Sequence, residues 1–81
     1  MDLSKNDYNI LIILNHYQCN SKLKSFTIER ISKETNLSIP KIRNSVKMFL
    51  LLNYITEGSH DKSAKTYYIN ENGINELKSL I

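Results

Sequence analysis

The stretch Ile31-Ser32-Lys33-Glu34-Thr35-Asn36-Leu37-Ser38-Ile39-Pro40-Lys41-Ile42-Arg43-Asn44-Ser45-Val46-Lys47-Met48-Phe49-Leu50 reads as two helices joined by a tight turn. Asn36 tolerates the left-handed conformation that ends a helix, and Leu37 follows as a buried turn residue. Ser38 then caps a new helix with Pro40 in its first turn, where a missing N–H does no harm. Ile42, Val46, Phe49 and Leu50 recur at spacings of four, three and one, the pattern of one buried face. Lys41, Arg43, Asn44 and Lys47 fall off that stripe. This helix runs from about 39 to 52; the one before it is short, capped by Thr27, with Ile28 and Ile31 facing inward.

Upstream, residues 4–17 open with Ser4 and, three residues later, Asp7, a cap-like start to another helix. Tyr8, Leu11, Ile12 and Leu14 form one stripe, and Ile10, Ile13 and Tyr17 form a second. Such a helix is either central to the core or paired with another chain. Residues 18–25, QCNSKLKS, read as a connector, and Ser25-Phe26 has room for a very short strand only. Downstream of Asn53 the helical period gives way to Tyr54-Ile55-Thr56, a polar stretch from 58 to 65, and Thr66-Tyr67-Tyr68-Ile69: a hairpin with a long flexible tip, Tyr67 and Ile69 toward the core. Asn70 caps a last helix with Glu71 in its first turn and Ile74, Leu77, and Leu80 or Ile81 as its buried stripe. Asn72-Gly73 is also a hairpin-turn pair, but no strand pattern follows it.

The expected fold is thus mainly α (α+β), a single domain over residues 1–81. At 81 residues, with 41% hydrophobic residues, two Gly and one Pro, a small packed core is expected rather than a disordered chain. The lone Cys19 has no internal disulfide partner, the first residues carry no basic-then-apolar leader, and the longest apolar runs, 10–14 and 48–52, fall far short of the roughly 20 residues of a membrane span. A cytoplasmic protein is expected. Metal binding and catalysis are not: His16 and Cys19 stand three apart with His60 distant, and there is no CxxC pair, phosphate loop, Ser/His/Asp order or paired apolar carboxylates.

Segment charges are uneven. Residues 1–17 carry −1, Lys22 and Lys24 give +2, 27–37 are neutral, 38–65 carry +3 and 66–81 carry −1, for a total of +3. The excess on the third helix, the hairpin and the first loop is the footprint of a surface that displaces counterions from phosphates.

The order helix, short strand, helix, turn, helix, hairpin, helix resembles the winged helix-turn-helix family, of the MarR-like or PadR-like bacterial regulator kind. The resemblance rests on residues 31–38 as second helix and turn, on Ile42, Val46 and Phe49, on Leu52-Asn53-Tyr54-Ile55 leading into the first wing strand, and on Tyr67-Tyr68-Ile69-Asn70-Glu71-Asn72-Gly73 leading into the last helix. It spans about residues 8–81. Asn53 stands where the family usually has Gly, and Asn is the next best residue at positive φ. MarR-like and PadR-like members usually add helices that dimerise and form a ligand pocket; only twelve residues follow Ile69 here, so no small-molecule ligand or cofactor is expected.

The resemblance implies double-stranded DNA as partner, with the third helix in the major groove. There Lys41 and Arg43 would donate to guanine, Asn44 would pair with adenine, and Lys47 would meet a phosphate. A solvated helix face is the plain alternative for these four. The tip from His60 to Lys65 either lies along the backbone or minor groove through His60, Lys62, Ser63 and Lys65, or is a loop without contact. The helix N-termini at Thr27 and at Ser38, the latter with Pro40 in its first turn, offer free backbone N–H groups and hydroxyls to phosphates, and capping alone also accounts for both hydroxyls. Met48, Leu51 and Leu52, with Ile10 and Ile13, fit equally a thick core or a homodimer seam. The expected role is a small transcription regulator. The alternatives are an accessory DNA-binding protein of plasmid transfer, replication or recombination, and a winged-helix module that binds protein.

Overall fold

The computed structural model describes residues 3–79. Its elements are α1 (Lys5–His16), β1 (Phe26–Thr27), α2 (Ile28–Thr35), α3 (Ile39–Leu51), β2 (Ile55–Glu57), β3 (Thr66–Ile69) and α4 (Glu71–Lys78), in the order read from the sequence. The three strands form one antiparallel sheet in the order β1-β3-β2, with Phe26 opposite Tyr67 and Ile55 opposite Ile69.

Each helix starts on a capping side chain. Ser4 and Asp7 form a reciprocal capping box, while Thr27, Ser38 and Asn70 accept from the N–H of Arg30, Lys41 and Gly73. Two asparagines end the helices of the central pair in left-handed backbone: Asn36 at φ 59° after α2 and Asn53 at φ 60° after α3. A short polar side chain tolerates that region where a branched one does not, so the turn and the bend into β2 are both set locally.

The core is built from Ile10, Leu11, Leu14, Cys19, Ile31, Ile42, Val46, Phe49, Ile55, Tyr67 and Ile69. In α1 the buried phase is Asp7, Ile10, Leu11 and Leu14, and in α3 it is Ile42, Ser45, Val46 and Phe49, both at i, i+3, i+4, i+7. This corrects the phase expected for both helices. Ile12 is 46% exposed while Ile10 is in the core, and Leu50 is 43% exposed while Ser45 is buried. The Ser45 hydroxyl donates to Asp7 Oδ1 at 2.7 Å, so a polar pair occupies the position that periodicity alone gave to hydrocarbon.

The hairpin closes in a tight turn rather than a long tip. Asp61 and Ala64 exchange both backbone hydrogen bonds at 2.9 Å across Lys62 (φ 50°) and Ser63 (φ 71°), which makes a two-residue type I′ turn. Tyr67 and Ile69 face the core as expected; Thr66 is buried as well, because its hydroxyl donates to the Ser59 carbonyl. Gly73 lies inside α4 rather than in a hairpin turn, and an added Cβ would strike the Tyr54 carbonyl and come within 2.7 Å of Ile69. Ile74 and Leu77 pack half-buried on the core, while Leu80 and Ile81 lie outside the described residues. Among the described residues no helix is long and apolar enough to cross a membrane.

Candidate nucleic-acid interface

The exposed side of α3 carries Pro40, Arg43, Asn44, Lys47 and, toward its end, Leu50 and Leu51. Because Ile42, Val46 and Phe49 anchor the opposite side, these residues project away from the core by helical geometry alone. Beside them α2, α3 and β3 enclose an open groove of about 600 Å³. Thr27, Arg43, Lys47 and Lys65 line it together with Ile28, Glu29, Ile39, Val46, Leu50, Ala64 and Tyr67. Burial pushes the Tyr67 hydroxyl pKa up, nearby Glu57 pushes it further, and the Arg43 guanidinium opposes both, so Arg43 bears on the wall of this groove.

The expected contact residues fall into three groups. Thr27, Arg43, Lys47 and Lys65 share the groove, with Lys65 Nζ 3.9 Å from Glu57 Oε1. Ser38, Pro40 and Asn44 sit exposed along the start of α3. Lys62 and Ser63 form the tip of the hairpin, and His60 Nε2 lies 3.6 Å from Glu57 Oε1 on its other flank. Lys41 stands apart from these groups: its ammonium donates to Asp7 Oδ1 at 3.2 Å, which ties α3 to α1. The Thr27 and Ser38 hydroxyls both accept from helix N–H groups, at 3.1 and 3.3 Å, and each keeps its own O–H for donation.

Arg30 was not singled out in the sequence. Arg30 lies with its guanidinium 4.6 Å from the Phe26 ring centroid and 5.9 Å from that of Tyr17, and its Nε is 3.3 Å from Glu34. The (i, i+4) spacing of Arg30 and Glu34 carried that signal; the stacking depends on β1 and had none. Cys19 is buried, its thiol pKa raised by burial against an opposing effect of Arg30, and its carbonyl accepts from the Ile69 N–H at 2.8 Å. It seats the first loop on the sheet. Among the described residues no group of three His, Cys, Asp or Glu side chains is placed to hold a metal ion.

A helix pair joined by a tight turn, with a three-stranded sheet whose hairpin projects beside the second helix, defines a winged helix-turn-helix protein. Solved structures share this fold: TubR from Bacillus megaterium pBM400 matches at TM-score 0.85 and 20% identity over 98% of this chain and 87% of that one. MepR, a transcription regulator of the Staphylococcus aureus multidrug efflux pump MepA, matches at TM-score 0.81 and 17% identity over 96% of this chain and 55% of that one. No family model matches the chain. The DNA-binding protein TubR of Clostridium botulinum C phage is 44% identical over 81 residues, the whole of both chains. The solution structure of the DNA-binding TubR fragment from Clostridium botulinum superposes at TM-score 0.79 over the full length of each, also at 44% identity. The chain belongs to the TubR family of winged-helix proteins.

Proposed function

We propose that this chain is a sequence-specific double-stranded DNA-binding protein, acting as one winged-helix unit over its length in a small transcription regulator's role. One observation carries the reading: the groove between α2, α3 and the wing gathers Thr27, Arg43, Lys47 and Lys65 beside an exposed helix face. Its full-length relative from Clostridium botulinum C phage is described as a DNA-binding protein, which supports it. In the major groove Arg43 would donate to guanine O6 and N7 and Asn44 would pair with adenine, while Lys47 meets a phosphate. The backbone leaving that groove would then pass between Thr27 and Lys65 to the wing tip at Lys62 and Ser63. Lys41 positions α3 through Asp7 rather than reading bases. Catalysis forms no part of this role. An accessory function in plasmid transfer, replication or recombination would use the same surface.

The exposed end of α3 supports a homodimer. Leu51 is 87% exposed, a large apolar side chain that a monomer gains nothing by presenting. We assign it to a homodimer contact, which would set two recognition helices on neighbouring half-sites. As part of a protein-binding patch it would instead serve the rival role of an adaptor. Two variants separate the DNA reading from that rival. Arg43→Ala should relax sequence preference and cost about 1–3 kcal/mol, while Lys65→Ala should weaken all sequences alike and lower the salt slope by about one unit. If neither variant changes binding to any duplex, the assignment fails.

A further inference from the structure

The loop between α1 and β1 does more than connect. Gln18, at φ 57°, turns the chain away from α1, and residues 21–24 then close a small hairpin in which the Lys24 N–H donates to the Ser21 carbonyl at 3.1 Å. Lys22 and Leu23 form its tip, with Leu23 89% exposed. This tip is fixed to the base of the wing. The Ser59 N–H donates to the Lys22 carbonyl at 3.1 Å, and the Ser25 hydroxyl bridges that carbonyl (3.0 Å) and the Thr66 hydroxyl (2.8 Å). Gly58 makes the approach possible, since an added Cβ would lie 2.6 Å from Ser25 Oγ and 2.9 Å from Thr66 Oγ1.

A second groove, of about 360 Å³, lies between this tip and the wing. Its walls include Lys22, Arg30, Ser59, His60 and Asp61, and Thr27 lines it as well as the groove beside α3. The wing is therefore flanked on both sides, by α3 on one and by residues 21–24 on the other. Charge is distributed to match. Lys41, Lys65 and Arg30 each stand within ion-pair distance of a carboxylate, whereas Lys22 and Lys24, like Arg43, Lys47 and Lys62, have none among the described residues. Two unpaired lysines on a tethered turn present charge that a polyanion can take up with little loss of chain entropy.

We infer that residues 21–24 form a second prong beside the wing, on which Lys22 and Lys24 grip phosphates of the same DNA duplex beyond the reach of α3. This rests on the DNA-binding reading above and extends the interface across the wing. The contact is to the sugar-phosphate backbone, so it adds affinity without adding sequence preference.

The test is a salt titration of binding to a fixed duplex and to a scrambled one, comparing wild type, the double variant Lys22→Gln/Lys24→Gln, and the control Lys33→Gln/Lys78→Gln, which removes two charges from α2 and α4. The prong predicts that Lys22→Gln/Lys24→Gln lowers the slope of log K against log salt by about two units and weakens both duplexes in the same proportion, beyond the effect of the control. Equal slopes for the two double variants, in a protein whose binding still responds to Arg43→Ala, would overturn the prong and leave the DNA-binding reading standing. Absence of any salt-dependent binding by wild type would overturn both. Thermal unfolding of each variant confirms that a lost contact, rather than a lost fold, is being read.

Discussion

Asp7 begins as a capping residue and ends as the joint between two helices. Its carboxylate accepts from the Ser4 N–H and hydroxyl at 2.9 Å, from the Ser45 hydroxyl at 2.7 Å and from Lys41 Nζ at 3.2 Å. Burial by itself would raise the pKa; the hydrogen bonds from Ser45, Ser4 and Lys41 outweigh it and hold the group at about 2, against 3.8 for the free side chain. A carboxyl whose folded pKa is depressed stabilises the fold above its unfolded pKa and loses that contribution as pH falls through the folded one. Asp7 should therefore contribute about 2 kcal/mol at neutral pH, fading between about pH 4 and pH 2. Urea unfolding across that window checks it: Asp7→Asn should be less stable at pH 7 and show a flatter pH profile than wild type. The capping role was legible from Ser4 and Asp7 alone. The bond to Ser45 was not, because nothing local marks a polar pair thirty-eight positions apart as facing partners.

Among the elements, boundaries were easier to read than phase. Caps, Pro40 and two asparagines placed the helix ends, since each acts through its own backbone. Phase depends on what the opposite face meets. In α1, apolar residues lie nearly all round, so Ile10 and Ile12 compete for the interior, and the Asp7–Ser45 bond settles which turns inward. The wing tip went unread for a different reason: Lys62 and Ser63 carry no Asn-Gly or Asp-Gly signal, yet both adopt positive φ. Holding two residues with side chains there costs stability, so Ser63→Gly should raise the free energy of unfolding by about 0.5–1 kcal/mol. Chemical denaturation measures the gain. Gly73→Ala should act in the opposite direction, since α4 must then move off the Tyr54 carbonyl; a loss of about 1–3 kcal/mol is expected by the same assay.

For the molecule as a whole, the sequence placed the positive excess on the third helix, the wing and the first loop, and the fold brings those three segments to neighbouring positions around two grooves. What remained hidden was which cations are already paired: Lys41 with Asp7 and Lys65 beside Glu57 look like Arg43 and Lys47 in a charge count. The apolar excess was legible too, but only burial separates Ile10, which is core, from Leu51, which is surface. Leu51→Glu should consequently yield a folded monomer, with an unfolding midpoint near that of wild type at low concentration and a reduced mass by sedimentation equilibrium. An unfolded product would return Leu51 to the core. Recognition of duplex DNA by α3 and the wing is best measured by binding the purified protein to a pool of random duplexes at two salt concentrations and sequencing the retained fraction. Enrichment of a repeated or palindromic motif is expected, with retention that falls steeply as salt rises; no retention even at low salt would rule such recognition out.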